Sequence, residues 1–239
     1  MVKTERFKKI SYFTIRAITI ILVVWSIIDL IFTNDDSTRS RCAFIIFQAV
    51  LLFVCTTIVP IVEKSWKLEV PDVMEVVFLA FAMAHMLLGE IGNFYATVPW
   101  WDSMLHTISG GIIAVLGFSF VNILNNNSKS LNVILSPGFI CFFSLCFAVA
   151  LGGIWEIFEY LMDEFTLSNM QRYQESLPPY NPFIGHDALN DTMKDLMLDF
   201  LGASVICVIG YFNLKKHKNS FTKWQIVKVE KEDDIDESK

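Results

Sequence analysis

The stretch Gly152-Gly-Ile-Trp-Glu-Ile-Phe-Glu-Tyr-Leu-Met-Asp163 closes an apolar run that begins near Ile134. The run exceeds the roughly 20 residues a helix needs to cross a hydrocarbon core of about 30 Å. It reads as a membrane span, yet it ends with Glu156, Glu159 and Asp163 at intervals of three and four. On a helix that spacing puts all three carboxylates on one face. Charged groups in membrane-like sequence are costly and persist where something compensates them, so the stretch is a candidate functional site.

Outward from this run, apolar stretches recur, so that the spans fall at about 12–32, 42–62, 73–91, 102–124, 134–162 and 195–214. With 54% hydrophobic residues over 239 positions, the expected class is all-α, a polytopic membrane protein built as a bundle of six transmembrane helices. The first run follows Lys3, Arg6, Lys8 and Lys9 and ends in Asn34-Asp-Asp-Ser. It is too long for the apolar core of a signal peptide and lacks a small-residue cleavage site, so it is the first span. Arg16 is expected to snorkel towards its inner boundary. The five cysteines, Cys42, Cys55, Cys141, Cys146 and Cys207, lie in or beside apolar runs without C-x-x-C spacing, and read as small packing residues.

Positive charge orients the bundle. Lys3, Arg6, Lys8, Lys9, Lys64, Lys67, Lys129, Lys215, Lys216 and Lys218 flank the spans at the termini and the even-numbered loops, against Arg39, Arg41, Arg172 and Lys194 in the others. The positive-inside rule then puts both termini in the cytoplasm, for a multi-pass protein of the bacterial cytoplasmic (plasma) membrane. The net charge of -6 comes from the tail, where Glu230 to Glu237 holds six acids. No basic cluster suggests nucleic acid as a partner; membrane lipids are the surroundings, and a small or lipid-linked molecule is the ligand class to consider. Residues 215–239 read as a basic-then-acidic tail without structure. Residues 164–194 form an extracytoplasmic loop rich in proline and aromatics, which reads as a folded cap. Small residues at Ala80/Ala84, Ala148/Gly152, Ser109-Gly-Gly111 and Gly202-Ala-Ser204 mark faces for close helix packing.

In this orientation the acids collect on the outer side. Glu90 ends the third span, Asp102 and His106 open the fourth, Glu156, Glu159 and Asp163 end the fifth, and Asp187, Asp191, Asp195 and Asp199 lead into the sixth. Each has an ordinary alternative: Asp102 and Asp191 as helix caps, His106 as a hydrogen-bonded core histidine, Glu159 and Asp163 as groups facing interfacial water. Taken together, with no basic partner evident among the spans, they call for a divalent cation or for protonated carboxyls. The candidate ligands are Asp102, His106, Glu156, Asp191, Asp195 and Glu90. Oxygen-rich ligands with an imidazole suit manganese, magnesium, zinc or iron, and a carboxylate-bridged two-metal centre is conceivable. A metal-bound water could hydrolyse an ester or phosphoester, with Glu159, or Glu156, as general base. No nucleophilic serine motif or HExxH accompanies the cluster.

Three blocks resemble the YjdF-like family of uncharacterised bacterial inner-membrane proteins: Trp101-Asp-x-x-x-His106 followed by Gly110, Trp155-Glu-x-x-Glu-Tyr160, and Asp191-Thr-x-x-Asp195 followed by Gly202-Ala203. The resemblance covers roughly Glu90 to Ala203. It implies a membrane fold and picks out Asp102, His106, Glu156, Glu159, Asp191 and Asp195. It leaves Asp187 outside the pattern and Asp199 dispensable, and it implies no reaction.

The first functional reading is a metal-binding membrane protein that hydrolyses a lipid-linked or envelope substrate. A cation or proton transporter is the alternative, disfavoured because the inner halves of the spans offer only Arg16, Glu75, Asn122 and Ser144 as a polar path. A non-enzymatic scaffold, stabilised through its acids, is the third.

Overall fold

Among the described residues, six helices long and apolar enough to cross a membrane follow one another: Glu5–Phe32, Asp36–Trp66, Asp72–Ile91, Trp101–Leu124, Pro137–Thr166 and Gly185–Lys215, each of 20 to 31 residues. The computed structural model describes residues 2–127, 135–166, 168–216 and 224–228. Hydrocarbon offers no water to exposed N–H and C=O groups, so apolar runs of this length become helices, which satisfy their own backbone. The six-span, all-α class read from the sequence is the class observed. Several helices outrun their apolar stretches, as where α2 starts at Asp36 ahead of the run at 42, because polar turns outside hydrocarbon can continue a helix already nucleated.

The chain divides into two compact units, Met1–Gly92 with Asn122–Asn127 and Lys223–Lys239, and Asn93–Val121 with Ser128–Thr222. In the first, α1 (Val2–Phe32) and α2 (Asp36–Trp66) form a hairpin, and α3 (Asp72–Met83) continues as a π-helical segment, Ala84–Ile91. Asp35 caps α2, accepting the backbone N–H of Thr38 at 2.8 Å and the hydroxyls of Ser37 and Thr38 at 2.7 Å each. Those hydrogen bonds favour the carboxylate and hold its pKa down to about 2. Ile15, Leu52, Leu79 and Ala82 form the apolar core of this unit.

Its polar groups are paired inside the bundle. Lys8 meets Asp72 at 2.7 Å and Glu75 at 2.8 Å, and the Tyr12 hydroxyl donates to Glu75. Arg16 lies against α2. Its Nε donates to Thr56 Oγ1 at 3.0 Å and its Nη2 to the Thr56 carbonyl at 2.9 Å. The rings of Tyr12 and Phe53 also lie within 6 Å of the guanidinium. Leu68–Glu69 (β1) pairs antiparallel with Val227–Lys228 (β2), within the stretch expected to lack structure; the acidic end of that tail, 229–239, lies outside the described residues.

The second unit contains a short helix α4 (Phe94–Thr97), α5 (Trp101–Asn127) as far as Val121, α6 (Pro137–Thr166), and α7 (Asn190–Lys215) preceded by a 3-10 turn, Gly185–Leu189. Ala114, Phe118, Ala148, Ala203 and Cys207 are its buried core. The small-residue faces do pack closely. A Cβ on Gly110 would overlap the backbone of Asp199 on α7, and one on Gly202 would overlap the carbonyl of Thr107 on α5. Close backbone approach through such residues lets helices associate without a hydrophobic drive between them.

The connection between α6 and α7 is folded, as its composition indicated. The Glu175 N–H donates to the Asn181 carbonyl at 3.0 Å, and the Phe183 N–H to the Tyr173 carbonyl at 2.9 Å. Asp163 anchors it, accepting the backbone N–H of Met170 at 2.7 Å and of Gln171 at 2.9 Å, with the Ser168 hydroxyl at 2.7 Å.

Candidate metal centre

Asp102 and His106 lie one turn apart on α5, and Asp191, Asp195 and Asp199 lie at successive turns of α7. Because Gly110 and Gly202 let α5 and α7 approach closely, those two faces meet. Asp102, His106 and Asp195 are 8%, 7% and 1% exposed. One ligand-type atom from each lies within 4.8 Å of the others. His106 Nε2 is 3.7 Å from Asp102 Oδ1 and 3.9 Å from Asp195 Oδ2. Both separations are too long for hydrogen bonds. Two ligands about 2.1 Å from one ion at a near-tetrahedral angle would stand about 3.4 Å apart, and somewhat farther at wider angles. The spacing thus suits groups arranged around an ion better than groups bonded to each other.

The other ring nitrogen fixes the imidazole. His106 Nδ1 faces Asp199 Oδ2 at 3.4 Å, and Asp199 Oδ1 accepts the Ser109 hydroxyl at 2.8 Å. A carboxylate at Nδ1 favours the tautomer with the proton on that nitrogen, leaving the Nε2 lone pair towards Asp102 and Asp195. Asp199 is 1% exposed and occupies the space that a side chain on Gly152 would fill.

α6 supplies the neighbouring wall. Glu156 and Glu159 are 5% and 7% exposed, and both interact electrostatically with Asp102 and His106. The Trp155 indole donates to Glu159 Oε1 at 2.9 Å. Gln171 Nε2, from the folded connection, donates to the Glu156 carbonyl at 3.2 Å and to Thr192 Oγ1 at 3.0 Å. Glu156 Oε1 and Asp195 Oδ1 are buried with no hydrogen-bond partner among the described residues. An unpaired buried carboxylate oxygen costs its full desolvation, which a cation at the centre would offset.

A family of predicted membrane proteins, DUF2238, matches residues 12–216. The chain belongs to the DUF2238 family. An uncharacterised protein of Thermotoga maritima is 29% identical over 149 residues, which cover 62% of this chain and 67% of that protein. No solved structure matches. The YjdF-like resemblance read from the three blocks fits this membership, and the family's description names no activity.

In this DUF2238 member most of the residues singled out in the sequence come together around His106: Asp102 and Asp195 directly, with Asp191, Glu156 and Glu159 beside them. Glu90 lies in the π-helical segment of the other compact unit, where the third span ends. Asp187 is exposed, and its Oδ1 accepts from the Asn190 side-chain amide at 3.3 Å. Asp163 and Glu159, for which interfacial water was an alternative, are each 7% exposed, and Asp163 serves the connecting segment rather than the centre.

Asp199, which the sequence places with Asp191 and Asp195 on one helix face and the family resemblance left dispensable, faces His106 Nδ1. Arg172, which was not singled out in the sequence, supplies a basic partner from the connecting segment. Its Nη2 is 3.7 Å from Asp102 Oδ2 and its Nη1 3.8 Å from Asp191 Oδ1, while Nη2 donates to the Tyr95 carbonyl at 3.1 Å. Nothing local in the sequence points a loop arginine at an acid 70 residues away.

Proposed function

We propose that Asp102, His106 and Asp195 hold a divalent cation, manganese, zinc, iron or magnesium, and that the protein uses it to hydrolyse an ester or phosphoester of a lipid-linked or envelope molecule. The observation that carries the reading is the buried trio with ligand atoms within 4.8 Å and separations too long for direct bonding. Zinc with one imidazole and two carboxylates would keep an open position, as catalytic sites do. A bound ion of this kind lowers the pKa of a coordinated water and polarises the scissile oxygen. Glu159, aligned by the Trp155 indole, and Glu156, with its unpartnered Oε1, are the groups placed to accept the proton of that water.

The charge pattern of the loops supports both termini in the cytoplasm of a bacterial cell, with this centre opening outward. Hydrolysis rather than transport is favoured by the engagement of Arg16 with Thr56 and of Glu75 with Lys8 and Tyr12, polar groups that an inward path would otherwise use.

Elemental analysis of detergent-purified protein tests the centre, beside His106→Ala and Asp195→Asn. Wild type should carry stoichiometric metal after supply with manganese, zinc and iron, and both variants should lose it. A wild type without metal under every supply refutes the reading. Glu156-dependent ion or proton flux in reconstituted vesicles would move the function to transport.

A further inference from the structure

Asp102 presents its two oxygens to two different partners. Oδ1 faces His106 Nε2 at 3.7 Å, within the proposed centre, and Oδ2 faces Arg172 Nη2 at 3.7 Å. Beyond the guanidinium, Nη1 faces Asp191 Oδ1 at 3.8 Å. Asp191 also interacts electrostatically with Asp102 and Glu156, and the buried Glu156 retains an oxygen with no partner among the described residues.

Arg172 is held there by its backbone and by the Tyr95 carbonyl, to which Nη2 donates at 3.1 Å. Its φ of 48° is left-handed, a conformation that costs a non-glycine residue and persists only where surrounding structure imposes it. The Asp163 carboxylate imposes it by binding the N–H groups of the two preceding residues. The guanidinium makes no bidentate pair with Asp102 or Asp191, which would bring N and O to about 2.7–2.9 Å. It stands between two carboxylates at ion-pair distance only.

Resting on the proposed metal centre, we propose that Arg172 is a tethered counter-cation occupying a second cation position, joined to the first by Asp102 as the bridging carboxylate and completed by Asp191 and Glu156. The position takes a divalent ion when the guanidinium is withdrawn. Paired metals in hydrolytic enzymes stand about 3.5–4 Å apart, a distance one carboxylate spans. Arg172 thereby sets the number of ions: one while it is seated, two without it. A monovalent group on the connecting segment thus neutralises Asp102 and Asp191 from ion-pair distance.

The test loads full-length protein in detergent with manganese and counts bound ions by elemental analysis, with electron paramagnetic resonance to report coupling between them. Wild type should hold one ion per chain with an isolated-ion spectrum. Arg172→Gln should hold two with an exchange-coupled spectrum, and Arg172→Lys should hold one. Asp191→Asn should keep the single ion of wild type, and combined with Arg172→Gln should return the count from two to one. One ion or none in Arg172→Gln while wild type holds one overturns the inference and leaves the first centre standing. If Arg172→Gln does not fold, loss of the single ion in Asp191→Asn overturns it. No ion in wild type or in any variant refutes the centre itself, and the inference with it.

Discussion

Replacing Asp199 with asparagine should weaken divalent-metal binding without unfolding the protein. The two side chains are nearly isosteric, so the space above Gly152 stays filled and the Ser109 hydroxyl keeps an acceptor at the Oδ1 position, now 2.8 Å away. The amide NH2 then takes the place of Oδ2, 3.4 Å from His106 Nδ1. An NH2 donates where the carboxylate accepted, so Nδ1 becomes the acceptor and the ring proton moves to Nε2, the nitrogen facing Asp102 and Asp195. Metal must displace that proton. Loss of an outer carboxylate of this kind costs about 10- to 100-fold in affinity, or about 1.4 to 2.7 kcal/mol at 1.36 kcal/mol per decade. The assay is competition with a chelator of known affinity for zinc or manganese, with thermal melting in detergent alongside. Affinity within twofold of wild type at an unchanged melting temperature would refute the assignment of Asp199 as the group that sets the His106 tautomer.

Two further outcomes follow from other parts of the chain. Asp163→Ala strands the backbone N–H groups of Met170 and Gln171 and should cost about 1–3 kcal/mol for each that stays buried; faster proteolysis between α6 and α7 with the helices intact is the readout, and an unchanged cleavage rate counts against the anchor. Asp35, whose pKa is held at about 2 by Ser37 and Thr38, should contribute stability that is present above the ordinary aspartate range and lost as pH falls through about 2. The melting difference between wild type and Asp35→Ala should therefore shrink on acidification, and a difference that grows instead would contradict the capping account.

The outline of the centre was legible because helix periodicity is local. Asp102 and His106, and Asp191 and Asp195, had to share a face once their segments were helical, whatever those helices packed against. Glu156 and Glu159 were conspicuous for the same reason, as acids in an apolar run. The contact of Asp199 with His106 and the position of Arg172 lay beyond local reading for different reasons. The use of Asp199 depends on the absent side chain of Gly152 on another helix. The position of Arg172 depends on a loop fold pinned by Asp163.

By itself the sequence determined the six spans, the helical class and the candidate acids, since hydrocarbon thickness and backbone satisfaction leave an apolar run of about 20 residues one form to adopt. Which acids meet was decided by tertiary structure. Gly110 and Gly202 bring α5 and α7 together so that His106 stands between Asp102, Asp195 and Asp199. The stretch from Gly152 to Asp163 began as three acids without compensation. Packing gave them different surroundings: Glu156 and Glu159 beside the centre, and Asp163 under the loop that carries Arg172 to Asp102. Charge compensation acts through space over a few ångströms, and that proximity exists only once the helices have packed.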